Sequence, residues 1–158
     1  MTDLSQTHAT FVLERDYPVP VERVWRAFAD PELKAEWFGS DDFVDVERTD
    51  DFRVGGVTTD DGRHGADGPL SRFRAVYTDI VEHRRIVYSY DMWLDDRHAS
   101  TSITTILFEP IDAGTRLTFT EQGVHLDGVH GPGPEAAAGR EEGTRGLLEN
   151  IARVLGRA

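Results

Sequence analysis

The feature that most restricts the fold is a change of hydrophobic period along the chain. From Phe43 onward the residues read as short strands parted by turn-forming clusters, until a final stretch, "PEAAAGREEGTRGLLENIARVLGRA", takes up helical spacing. In that stretch Leu147, Leu148, Ile151, Val154 and Leu155 form an amphipathic stripe. Pro134 and the acids Glu135, Glu141 and Glu142 suit the start of a long helix and its dipole. Antiparallel strands joined by short turns give a sheet with one face to cover, and only the last helix is long enough to cover it. A hollow between helix and sheet is the expected consequence.

The preceding elements fit this plan. "ATFVLERDYPV" alternates as a first strand that Pro18 and Pro20 stop. Val21, Val24, Trp25 and Phe28 then fall at helical spacing after Pro20, and Asp30-Pro31 separates this helix from a second short one carrying Leu33, Trp37 and Phe38. "DDFVDVERT" and "DFRVGGVTT" are short strand candidates, Gly55-Gly56 suggests a bulge or bend, and "DDGRHGADGP" has loop composition. "LSRFRAVYTDIVE" and "RIVYSYDMWL" form a hairpin about "HRR", and "ASTSITTILFEP" and "GTRLTFTEQG" another about "IDAG". "VHLDGVHGPG" reads as a loop. Residues 1–9 are expected to be a flexible N-terminus, and 10–158 a single domain.

Composition narrows the function. With no cysteine the chain has no disulfide framework, thiolate zinc site or cysteine nucleophile. A net charge of -12 disfavours nucleic acid and anionic membrane surfaces as partners. No apolar run approaches the roughly 18 residues of a bilayer span, and the polar start "MTDLSQTHAT" is unlike a secretory signal, so a cytoplasmic location is expected. Lys34, the single lysine among 17 basic residues, lies in a polar helical stretch; its expected exposure argues against Schiff-base chemistry.

One strand raises a specific question. Alternation in "TRLTFTEQG" places Glu121 on the same face as Leu117 and Phe119. A carboxylate there is either a solvated strand end or part of the wall of a cavity.

Several stretches taken together resemble the helix-grip (START/Bet v 1-like, SRPBCC) superfamily, in the branch related to the activator of Hsp90 ATPase. They are "YPVPVERVWRAFADPELKAEWF", "RFRAVYTDIVEHRRIVYSYDM", "GTRLTFTEQG" and "REEGTRGLLENI", covering roughly Phe11 to Leu155. The resemblance implies an α+β helix-grip fold, a curved antiparallel sheet of six to seven strands wrapped around a long C-terminal helix, with two short helices after the first strand. It also implies a hydrophobic pocket between that helix and the sheet. It supplies no catalytic motif, metal site or cofactor. Because the first strand pairs with the last in this fold, it places Arg15 near the strand of Glu121.

The expected pocket is walled by Trp37, Phe38, Tyr88, Tyr90, Met92, Phe108, Phe119, Gly143 and Leu147, with Glu121 as its polar handle. The aromatic residues have an alternative place in packed core. An inward carboxylate is tolerable if paired, and Arg15 and Arg140 are the candidate partners. Gly139, Gly143 and Gly146 share one stripe of the last helix, although each costs about 1 kcal/mol relative to alanine in a helix interior. Either the sheet approaches closely there, or the space above them is open, or the helix begins later. His125, Asp127 and His130 match no helical zinc motif.

The preferred function is binding of a small hydrophobic molecule, as monomer or homodimer. Its rivals are a polyketide cyclase-like enzyme using Glu121, Tyr88 or His125 as acid or base, and a co-chaperone-like interaction domain.

Overall fold

The computed structural model describes residues 4–39 and 43–157. Strand β1 (Gln6–Tyr17) leads into helices α1 (Val21–Ala29) and α2 (Pro31–Trp37). Six strands follow: β2 (Phe43–Asp50), β3 (Val57–His64), β4 (Leu70–Val81), β5 (Arg85–Leu94), β6 (Arg97–Ile111) and β7 (Gly114–Leu126). Helix α3 (Gly133–Leu155) closes the chain.

All seven strands form one antiparallel sheet in the order β1-β7-β6-β5-β4-β3-β2. The two short helices carry the chain from one edge, β1, to the other, β2. Asp30 makes this possible, because it ends α1 in an extended conformation while its carboxylate accepts a hydrogen bond from the Glu32 amide at 3.0 Å to start α2. Register shifts at Asp45/Glu47, Tyr77/Asp79 and Met92/Trp93 bend the sheet and give it a concave face. The expected helix-grip fold, α+β with a long terminal helix over a curved sheet, is present.

The core occupies one end of the concave face. Leu148, Ile151, Val154 and Leu155 of α3 are buried against Tyr17, Trp25, Phe28, Phe108 and Leu117. Polar ties fix the seam there: the Tyr17 hydroxyl donates to the Leu148 carbonyl at 2.9 Å and Arg23 donates to the Leu155 carbonyl at 2.8 Å, a cation at a helix C-terminus. The C-terminal half of α3 is therefore sealed, whereas the half that carries the glycines is not.

Four local expectations change. Gln6–Ala9 belong to β1, paired with Leu126–Gly123; residues 1–3 of the expected flexible segment lie outside the described residues. Asp60–His64 lie in β3, not in a loop, because they pair with β2 and β4; the Phe43 ring lies across Gly62, where an added Cβ would be 2.0 Å from it. The strand expected over "DFRVGGVTT" begins only at Val57; Gly55-Gly56 form the bend before it, with the Gly56 amide donating to the Arg53 carbonyl at 2.8 Å. Val124–Leu126 extend β7.

Candidate functional site

Where α3 stands off the sheet there is a cavity of about 610 Å³, within the range of small-molecule sites. Its floor is built by alternation in three strands, which turns Phe73 of β4, Tyr88, Tyr90 and Met92 of β5, and Phe119 and Glu121 of β7 to the same side. Phe38, just past the end of α2, forms one end wall, packed edge-on to Phe73 at 5.2 Å between centroids. The roof is α3, through Gly139, Arg140, Gly143, Thr144 and Leu147.

The helix runs continuously through its glycines, and a Cβ added at Gly139, Gly143 or Gly146 would meet nothing within 4 Å. Of the three explanations for the stripe, open space is the one realised. Gly139 and Gly143 border the cavity, and Gly146 faces outward beyond it.

Glu121 answers the question posed by its strand. The residue is only 4% exposed and its carboxylate projects into the cavity wall. Glu121 Oε1 accepts hydrogen bonds from the Tyr90 hydroxyl at 2.7 Å and the Thr104 hydroxyl at 3.3 Å. Arg140 completes the group from the helix, donating from Nη1 to the Tyr90 hydroxyl at 2.7 Å and from Nη2 to Ser100 Oγ at 2.9 Å. Its Nη1 is 3.6 Å from Glu121 Oε2, so the ion pair is close and its hydrogen bonding runs through Tyr90. Burial raises the Glu121 carboxyl above its ordinary range, more than the Tyr90 hydrogen bond and the Arg140 charge lower it. Burial likewise pushes both the Tyr88 and Tyr90 phenols well upward.

The same inner row continues to His125, which faces inward from β7 beyond Gly123. Gly123 is required between them, since a Cβ there would lie 2.3 Å from Ser102 Oγ. His125 Nδ1 and Ser102 Oγ are buried without hydrogen-bond partners among the described residues. Burial and the nearby Arg140 charge lower the His125 imidazole. Asp127 does not join the histidines: its carboxylate accepts from the Ser5 amide at 2.8 Å.

Three expected site residues lie elsewhere. Phe108 is core, edge-on to Trp25 at 5.0 Å and Phe28 at 5.4 Å, because the rings of α1 fill the space in front of it. Trp37 is core as well; its indole donates to the Ala27 carbonyl at 2.7 Å and its ring packs on Phe28. Arg15 pairs with Glu149 on α3, not with Glu121, since β1 lies beside β7 in a register that sets Arg15 opposite Leu117. Phe38, Tyr88, Tyr90, Met92, Phe119, Glu121, Gly143 and Leu147 border the cavity, and Arg140 is the partner of Glu121.

Sequence reasoning missed Phe73, although the alternation of "SRFRAVYT" sets it on a face with Ala75 and Tyr77. Lys34 reverses its expectation. Its side chain is only 14% exposed, and Nζ donates to the Tyr77 hydroxyl at 3.0 Å and lies 3.8 Å from Asp50 Oδ2. Arg48 and Asp60 form a second pair beside it, at 3.0 Å. Among the described residues no helix is long and apolar enough to cross a membrane.

Solved structures of other proteins share this architecture. Similar solved structures include a protein from Rhizobium leguminosarum, 39% identical over 99% of this chain and 100% of that one, with a TM-score of 0.90. The Mll3558 protein from Rhizobium loti is 45% identical over 95% of this chain and 99% of its own, with a TM-score of 0.85. The protein CV1439 from Chromobacterium violaceum is 30% identical over 92% and 96%, with a TM-score of 0.75. No curated protein matches. The model of the Activator of Hsp90 ATPase homolog 1-like protein family matches residues 18–156, which span both short helices, the strands from β2 to β7 and α3, and the chain belongs to that family.

Proposed function

We infer that the protein binds a small, uncharged, mainly apolar molecule between α3 and the sheet. The observation that carries this reading is the pairing of an aromatic-walled cavity of about 610 Å³ with one convergent polar group, Glu121, Tyr90 and Arg140. Apolar walls supply affinity by burying ligand surface, and a few fixed polar atoms orient the ligand. Glu121 and Arg140 offset each other's charge, which favours a neutral hydrogen-bonding group, such as a carbonyl or hydroxyl, at that end. Native mass spectrometry of the purified protein tests the reading: a co-purifying molecule lost on denaturation supports it, and its chemical class follows from its mass.

A second reading, acid-base chemistry on a polyketide-type substrate, is favoured by the upward shift of the Glu121 carboxyl in this cavity. Glu121→Gln separates the two. Loss of turnover with ligand affinity kept identifies an enzyme, whereas the binding protein loses affinity only.

A further inference from the structure

The single lysine of the chain occupies a separate cleft of about 280 Å³ between α2 and the strands β2 and β3. Pro31, Ala35 and Phe38 form its apolar side, and Glu32, Lys34, Arg48, Asp50 and Asp60 its charged side. Lys34 Nζ lies over the rings of Phe38, at 5.4 Å, and Tyr77, at 5.6 Å. It donates to the Tyr77 hydroxyl at 3.0 Å, and that hydroxyl donates to Asp50 Oδ1 at 2.9 Å. Asp50 Oδ2 is buried, 3.8 Å from Nζ, and has no hydrogen-bond partner among the described residues. The neighbouring Arg48 and Asp60 are paired with each other at 3.0 Å, Asp60 too keeping a buried Oδ1 without a partner among the described residues, and Asp50 is the carboxylate within 4 Å of the amine.

We propose that Lys34 is a nucleophilic amine that forms an imine with a small uncharged aldehyde entering the cleft between α2 and β2-β3. This goes beyond the cavity reading, since Lys34 borders the cleft and not the main cavity; Phe38 is the wall between them. Three features carry the assignment: an amine in an apolar aromatic setting, a cleft that its residue lines, and an unpartnered carboxylate oxygen beside it. Burial lowers the Lys34 ammonium, outweighing the Asp50 and Asp60 carboxylates that would hold it protonated.

The step balances without any further reactant. The ammonium passes one proton to Asp50 Oδ2, and the neutral amine attacks the aldehyde carbon, breaking the carbonyl π bond. A second proton moves from nitrogen to the former carbonyl oxygen to give the carbinolamine. Asp50 then returns its proton to the hydroxyl, which leaves as water while the nitrogen lone pair closes the iminium. Positive charge stays on the nitrogen beside the regenerated carboxylate. The acids Glu32, Asp50 and Asp60 outnumber the cations Lys34 and Arg48 on the cleft lining and disfavour an anionic aldehyde, so the class is uncharged.

The test uses the fact that the chain has only two kinds of primary amine, its α-amine and Lys34. Folded protein is treated with benzaldehyde and cyanoborohydride at neutral pH, and the benzyl group is located by mass spectrometry after cleavage at arginine. Lys34 is expected to label at least about tenfold faster than Nα-acetyllysine, a rate ratio worth about 1.4 kcal/mol of barrier. The excess is expected to vanish in urea. Labelling of Lys34 no faster than Nα-acetyllysine, or an excess that survives in urea, overturns the proposal. Binding of the neutral dye N-phenyl-1-naphthylamine to Lys34→Arg is scored in parallel, so a failed amine and a failed cavity give different results.

Discussion

The Tyr90 hydroxyl is the hinge between Arg140 and Glu121: it accepts from the guanidinium at 2.7 Å and donates to the carboxylate at 2.7 Å. A strand and a helix distant in sequence are thereby joined at one oxygen, inside the cavity wall. The acid is stable there because its charge is answered from the helix, and the helix can stand off the sheet because a long arginine spans the gap.

Removing that answer is costly. Arg140→Met leaves Glu121 buried without a counter-charge, and the expected loss is about 3 to 5 kcal/mol by urea unfolding. Arg140→Met with Glu121→Gln should recover part of it. A double variant no more stable than Arg140→Met would show that the two residues are not coupled.

Protonation of Glu121 gives a pH signature. Its folded carboxyl lies above the ordinary value of 4.5, so between that value and the folded pKa the folded state holds a proton that the unfolded state has released. The contribution of this group to stability is therefore full below 4.5 and declines as pH rises through the folded pKa. The stability difference between wild type and Glu121→Gln, followed by urea unfolding from acid to neutral pH, should shift against the wild type as pH rises. A flat difference, or one of opposite slope, contradicts the burial described here.

Arg15 should matter little. Its pairing with Glu149 is half exposed, with side chains 37% and 55% accessible, and exposed pairs contribute at most about 1 kcal/mol. Arg15→Ala is expected to unfold within that margin of wild type and to leave ligand binding intact; a loss of binding would return Arg15 to the site.

Gly143 should tolerate a methyl group and gain from it. An added Cβ meets nothing within 4 Å, so Gly143→Ala should raise stability by up to about 1 kcal/mol through helix propensity alone. Destabilisation in urea unfolding would mean that the backbone there is closer to the sheet than described.

The fold was legible wherever local pattern and tertiary environment agree. Alternation in β4 to β7 and the prolines around α1 mark elements whose buried faces match their sequence period. Glu121 was legible for the opposite reason, since a charge within an apolar alternation is a conflict that only a partner resolves. Lys34 was not, because its helix looks polar by itself and the groups that bury it, Asp50 and Tyr77, come from distant strands. Gly62 was hidden likewise: "DDGRHG" has the composition of a loop, and its pairing with β2 and β4, with the Phe43 ring lying across Gly62, makes it a strand. Phe108 and Trp37 show the limit of face assignment, for an inward residue faces core or cavity according to what the short helices place in front of it.

Fluorescence titration with N-phenyl-1-naphthylamine, comparing wild type with Gly143→Trp, reads occupancy of the cavity itself. Wild type should bind saturably at one site, and binding should be at least about tenfold weaker once the indole occupies the space under α3, a loss of roughly 1.4 kcal/mol. No saturable binding by wild type, or equal affinity in a folded Gly143→Trp protein, would contradict binding under α3.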